Sequence, residues 1–272
     1  MPELPEVEVI KEGLRRKLRN RVIKGINIIF KGSIKNIPPP LFEKKMRGRR
    51  FEEVSRRGKF LIFSLDDGSF LVIHLKMTGQ LVYCSPREAL DKHTCLVFTL
   101  DNNFQLRFMD MRRFGVVCLV EKLEEITLLA EMGPEPLENN FTSLSLKEIL
   151  QGQKRKIKIV LLDQRMIAGL GNIYAMEALY QAGINPERRA NRLTGSEIEA
   201  LYGAIKDILK KAISSGGTSI DTYRNAEGEK GKFQYRLQVY QREGEPCYRC
   251  GAAISQVKLS GRSTYFCPQC QK

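Results

Sequence analysis

The sequence predicts an α+β chain: one opening helix, an antiparallel β region, a helical region and a small metal-binding module at the end. Three observations predict it. Val7, Ile10, Leu14 and Leu18 recur at near-helical spacing within residues 5–19. From 22 to 120 the apolar residues fall instead into short β-rich runs. Four of the seven cysteines crowd into the C-terminal end, from position 247 onward.

Each element follows from its local pattern. The β-rich runs cover 59–65, 70–77, 95–100, 104–109 and 115–120. Asp66-Asp67-Gly68 and Asp101-Asn102-Asn103 separate them as turns, and the regular spacing argues for an antiparallel sandwich or barrel. Gly133-Pro134-Glu135-Pro136 marks a boundary. Helices are expected at about 145–151, 156–166, 172–182 and 195–215. Ser145 with Glu148, and Thr194 with Glu197, have capping-box spacing, and Gly216-Gly217 ends the last helix. Residues 217–233 are polar and glycine-bearing, which predicts a mobile loop. No internal repeat of useful length occurs.

Composition narrows the function. In 272 residues, 45 Lys+Arg stand against 31 Asp+Glu, a net charge of +14. Such a basic chain points to a polyanionic partner. No run of apolar residues is long enough to span a bilayer, so no membrane partner is expected. Glu3, Glu6, Glu8 and Glu12 exclude a secretory signal, which suggests a cytoplasmic protein.

Cys247-x-x-Cys250 and Cys267-x-x-Cys270 are separated by 16 residues. Two such knuckles supply four thiolates to one tetrahedral zinc and leave no open position, so the expected zinc is structural. The module reads as a separate small core. Cys84, Cys95 and Cys118 lie in strand-like runs and read as reduced core residues.

The chain begins Met1-Pro2-Glu3-Leu4-Pro5-Glu6. Removal of Met1 would leave Pro2 as a secondary amine, whose attack on a sugar carbon gives a cationic iminium. Glu3 and Glu6 lie close enough in sequence to move protons. On the letters alone, an ordinary proline at a helix start is the favoured reading.

The MPELPEVE start, Arg56-Arg57-Gly58-Lys59, His74-Leu75-Lys76-Met77-Thr78-Gly79, Asp110-Met111-Arg112-Arg113-Phe114-Gly115, Ala168-Gly169-Leu170-Gly171-Asn172-Ile173-Tyr174-Ala175 and the cysteine module occur in this order along the chain. Together they resemble the bacterial formamidopyrimidine-DNA glycosylase family over its whole length. The resemblance implies an N-terminal catalytic β-sandwich framed by helices (1–132). It also implies a helical domain with a helix–two-turn–helix and a lesion loop (133–233), and a zinc-ribbon finger (234–272).

The resemblance further implies a bifunctional glycosylase and abasic-site lyase. It would excise 8-oxoguanine and formamidopyrimidines from double-stranded DNA as a monomer. Pro2 would be the Schiff-base nucleophile, Glu3 the acid/base, Glu6 its support and Lys59 a proton donor in elimination. Arg262 would hold the phosphate beside the lesion. Met77, Arg112 and Phe114 would fill the void left by the flipped base. His74, His93, Lys154, Lys158 and Asn172 would contact the DNA, and the enzyme would be cytoplasmic and nucleoid-associated.

The sequence departs from the family pattern at Thr94-Cys95, Met111, Ile159 and Gln153, where a cation is sometimes found. Two other readings remain open here: an endonuclease VIII-like glycosylase for oxidised pyrimidines, and a non-catalytic zinc-ribbon protein that binds nucleic acid.

Overall fold

Helix α1 (Leu4–Leu18) forms where the apolar spacing places it, and it buries Val7, Ile10, Leu14 and Leu18. Pro5 sits in its first turn, where a missing N–H costs nothing. A computed structural model describes this and the rest of the chain from residue 2 to residue 272.

Eight strands follow: β1 (Ile23–Ile28), β2 (Phe51–Arg57), β3 (Phe60–Leu65), β4 (Phe70–His74), β5 (Gly79–Cys84), β6 (Thr94–Leu100), β7 (Gln105–Asp110) and β8 (Val116–Val120). They form two four-stranded sheets, ordered β1-β6-β7-β5 and β2-β3-β4-β8, and every pairing is antiparallel. One core joins the sheets. Phe63 and Ile73 of one sheet, Phe98 and Phe108 of the other, and the α1 stripe all belong to it. Burying each such side chain contributes roughly 1.5–3 kcal/mol. This is the sandwich of the sequence reading.

Some elements lay outside the apolar runs. Strand β2 alternates buried residues with Glu52, Arg56 and other polar side chains, so it has no continuous apolar signature. Helix α2 (Pro39–Met46) opens with prolines that read as breakers, yet it buries Phe42 and Met46.

After α3 (Thr127–Ala130) come α4 (Ser143–Gln151), α5 (Ile157–Leu162), α6 (Asn172–Gln181), α7 (Gly195–Ser214) and the hairpin β9 (Ser255–Leu259) with β10 (Arg262–Phe266). Thr194 and Glu197 cap α7 reciprocally, as their spacing predicts. The Ser145–Glu148 box does not form. Helix α4 starts two residues earlier, with Thr142 as its cap, because the Thr142 hydroxyl accepts Ser145 N–H at 3.1 Å. Helix α5 stops at Leu162, short of the expected 166, where a turn at Asp163 takes over.

The chain divides into two compact units. One runs to Ala130 and takes back Ser215–Gln234; the other comprises Glu131–Ser214 and Tyr235–Lys272. This division is discontinuous along the chain. Residues 217–233 are irregular, as expected, but they are not loosely attached. Phe233 N–H donates to Gly217 O at 3.0 Å, and Thr218 N–H reaches a carboxylate of α1 at 2.8 Å.

The cysteine module is not a separate core. Met176 and Tyr180 of α6 pack in one cluster with Val239, Cys247, Ile254 and Cys267. No helix among the described residues is long and apolar enough to cross a membrane.

Candidate functional site

The N-terminal residues form a buried, hydrogen-bonded cluster. Pro2 lies at the head of α1 and is itself buried. Glu3 and Glu6 are 2% and 1% exposed, although carboxylates rarely leave water without partners. Glu6 Oε2 accepts Glu3 N–H at 2.8 Å, and its Oε1 accepts Thr218 N–H at the same distance. Tyr223 OH adds a bond to Glu6 O. One carboxylate thus ties the start of the chain to the 215–234 segment. Gly217, at φ +83, passes so close that a Cβ there would lie 3.0 Å from Glu6 Oε1.

Lys59 is buried in the β2–β3 turn beside Gly58, whose φ is +57. His74 ends β4 as a buried residue. Its Nδ1 accepts Lys76 N–H at 2.9 Å, and its ring meets Phe60 edge-on at 4.5 Å. Burial, helped by the Lys76 and Lys59 charges, lowers its pKa to about 3. With Nδ1 accepting a bond, the neutral ring carries its proton on Nε2, so any bond His74 makes to phosphate would be a neutral N–H donation, not an ion pair. His93 is half-buried, its N–H donating to Asp91 and its carbonyl accepting Asp110 N–H.

Met77, Arg112 and Phe114 come together although 35 positions separate the first two. Arg112 Nη1 lies 3.0 Å from Met77 Sδ, and the guanidinium covers the Phe114 ring at 4.7 Å. Met77 is 43% and Phe114 53% exposed, which removes core packing as their role. Sequence reasoning missed the residue beneath them. Asp110, 1% exposed, accepts the Thr78 hydroxyl, Arg112 N–H at 3.2 Å and Gly115 N–H at 2.6 Å. It thereby fixes both turns at once. Gly115 is obligatory there, since a Cβ would meet Phe108 Cζ at 2.4 Å. The signal was an aspartate opening a turn just before the exposed stretch 111–114.

The second unit gathers Lys158, Asn172 and the β10 strand. Asn172 is the first residue of α6, behind Gly171, and its Nδ2 donates to Ser263 O at 3.2 Å. Arg262 opens β10 and is exposed. Lys154 is exposed as well. Lys158 is not: it is 0% exposed, with Nζ donating to Thr264 Oγ1 at 2.5 Å and Ser263 O at 3.2 Å. Its ammonium ties α5 to β10.

The four Sγ atoms of Cys247, Cys250, Cys267 and Cys270 lie within 4.8 Å of one another. Cys247–Cys270 and Cys250–Cys267 span 3.9 and 3.5 Å. A tetrahedral zinc with thiolates at about 2.3 Å requires edges of about 3.8 Å, so the cluster fits. Arg249 N–H points at Cys247 Sγ and Cys270 N–H at Cys267 Sγ, each at 3.4 Å. These amides stabilise the thiolate charge.

Comparison with known proteins places these features in one class. Three family models match in sequence order: the formamidopyrimidine-DNA glycosylase N-terminal domain over residues 1–117, its H2TH domain over 132–224, and a zinc finger found in FPG and IleRS over 244–272. The class is that of a zinc-finger DNA glycosylase of base excision repair. A formamidopyrimidine-DNA glycosylase of Pelotomaculum thermopropionicum is 45% identical across 100% of this chain and 99% of its own. That of Desulforamulus reducens is 46% identical with the same coverage. The Lactococcus lactis enzyme, solved with DNA containing Fapy-dG, superposes with a TM-score of 0.92 at 38% identity over 99% of this chain and 100% of its own. A complex of the same enzyme with abasic-site DNA matches with a TM-score of 0.92 at 38% identity, over 99% of each chain. The chain belongs to the formamidopyrimidine-DNA glycosylase family, and its four C-terminal cysteines hold one zinc ion.

Proposed function

We propose that this protein removes oxidised purines, 8-oxoguanine and formamidopyrimidines, from double-stranded DNA and then cleaves the abasic strand. The observation that carries the reading is the burial of Glu3 and Glu6 at the head of α1 beside Pro2. A secondary amine next in the chain to one buried carboxylate and four positions from another suits a nucleophile whose reaction needs protons delivered and removed. Once Met1 is removed, the Pro2 nitrogen attacks C1′, the glycosidic bond breaks and the base departs with a proton. Opening of the sugar leaves an iminium, which acidifies C2′. Loss of that proton expels the 3′ phosphate, and a second elimination expels the 5′ phosphate.

The chain's other residues take supporting roles in this reading. Glu3 moves protons at the sugar, Glu6 fixes the backbone of Glu3, and Lys59 donates a proton during elimination. Met77 and Phe114 wedge into the stack, while Arg112 offers donors to the orphaned base. Asn172, Arg262 and Lys154 hold phosphates, and His93 lies near the DNA. The zinc supplies no reacting group; with four protein ligands it holds the finger that carries Arg262. A cytoplasmic, nucleoid-associated monomer fits this activity.

Borohydride trapping on paired duplexes tests the proposal. A covalent adduct through Pro2 with an 8-oxoguanine duplex is expected, with little on an oxidised-pyrimidine duplex. The reverse preference would establish an endonuclease VIII-like specificity, and no adduct with either would leave a binding protein.

A further inference from the structure

Tyr180 has no part in the reactions above, yet it occupies a distinctive position. It is the penultimate residue of α6 and 1% exposed. Its hydroxyl oxygen lies 3.2 Å from Cys247 Sγ. A zinc-bound cysteine is a thiolate without a hydrogen, so the phenol must be the donor. Arg249 locks the ring in place: its guanidinium covers the ring at 4.2 Å and its Nη1 donates to Tyr180 O at 3.0 Å. Cys247 thus receives a side-chain donor in addition to the Arg249 N–H at 3.4 Å.

We propose that Tyr180 is an outer-sphere donor that tunes the zinc site and anchors it to α6. Four thiolates on one Zn²⁺ leave a net charge of about −2 on the cluster. Cys247 is nearly buried and has little water to share its part of that charge. The phenol O–H disperses it, which makes the sulfur harder to protonate and the metal slower to leave. The same bond joins the metal to α6, whose opposite end touches β10 through Asn172 and Ser263. The helix is therefore braced on the finger at both ends.

Tyr180→Phe in the full-length zinc-loaded chain removes the hydroxyl and keeps the ring. Zinc transfer to a chromophoric chelator should accelerate about ten- to a hundredfold. In the cobalt-substituted protein, the sulfur-to-cobalt charge-transfer bands should move to longer wavelength, because a sulfur relieved of its donor gives up charge more easily. Unchanged rates and bands would overturn the proposal. So would fast release in Tyr180→Leu with wild-type behaviour in Tyr180→Phe, which would assign the effect to ring packing. If Tyr180→Phe does not fold, the unaltered chain loaded with NMR-active cadmium decides the matter. A slowly exchanging Tyr180 hydroxyl proton coupled to the metal supports the bond, and a freely exchanging, uncoupled one overturns it.

Discussion

The head of α1 and the paired turns at Met77 and Arg112–Phe114 use the same device for opposite ends. In each, a buried acidic side chain accepts backbone N–H groups and joins two separate parts of the chain. Glu6 binds Glu3 and Thr218; Asp110 binds Arg112 and Gly115 together with the Thr78 hydroxyl. At the head of α1 the carboxylate encloses the residues proposed to react, and they are buried. At the turns it lies underneath and leaves Met77 and Phe114 exposed. Reacting groups need a fixed, dry setting, whereas probing groups need a fixed backbone under side chains free to reach a ligand.

The largest expected effect breaks the first half of that comparison. An N-terminal extension turns the Pro2 nitrogen into an amide, which cannot attack a sugar. Base excision and abasic-site cleavage should disappear together, while DNA affinity changes little. Glu3→Gln should separate them, lowering excision by about 10²–10⁴-fold and retaining some abasic cleavage. Single-turnover cleavage of 8-oxoguanine and abasic duplexes checks both. A tagged chain that cleaves as fast as the processed one refutes the proline chemistry.

Asp110 addresses the second half. Asp110→Ala leaves the buried Gly115 N–H and Thr78 hydroxyl without their acceptor at a cost of about 1–3 kcal/mol each, so denaturant unfolding should show a loss of roughly 2–5 kcal/mol. Phe114→Ala, on an exposed side chain, should stay within about 0.5 kcal/mol. Both should depress excision more than abasic cleavage. Equal stability of the two variants would mean that the turns do not depend on the carboxylate.

The same contrast explains what the sequence revealed. Pro2, Glu3 and Glu6 are neighbours in the chain, and the four cysteines announce themselves by spacing, so both clusters were legible. The two sheets were legible through β3, β4, β6, β7 and β8, whose apolar runs pack into one core. Asp110 was written in a recognisable motif, but its partners Thr78 and Gly115 converge only once β5 pairs with β7. The burial of Lys158 and His74 was not legible, for a common reason. A lysine or histidine in a basic stretch looks solvent-exposed until tertiary packing encloses it, and here β10 covers one and Phe60 the other.

His74 gives a smaller, pH-dependent test beneath the Met77 turn. Its pKa falls from the ordinary 6.5 to about 3 in the folded protein. Folding therefore favours the neutral ring. The contribution is complete above pH 6.5 and is lost progressively as the pH falls toward 3. His74→Asn keeps an acceptor for Lys76 N–H but cannot titrate, so its acid limb should be flatter by a few kcal/mol across that window. Parallel acid limbs would show that the imidazole is protonated without resistance.

The smallest effect carries the contrast between enclosed and exposed into the second unit. Lys154 and Lys158 lie four positions apart in one basic stretch, yet one is exposed and the other fully buried. A cation that releases a counterion from DNA must reach phosphate. If five to seven phosphates are neutralised, log K should fall against log salt with a slope of about −4 to −6. Lys154→Gln should reduce the steepness by about 0.9, the share of one phosphate, without changing lesion preference. Lys158→Met should leave the slope unaltered, because the ammonium spends its bonds on Thr264 and Ser263 and never meets solvent ions. Its effect should appear in the lesion-adjacent step, through a loosened β9–β10 hairpin and a misplaced Arg262. Equal changes in slope from the two variants would mean that Lys158 leaves its enclosure when DNA binds.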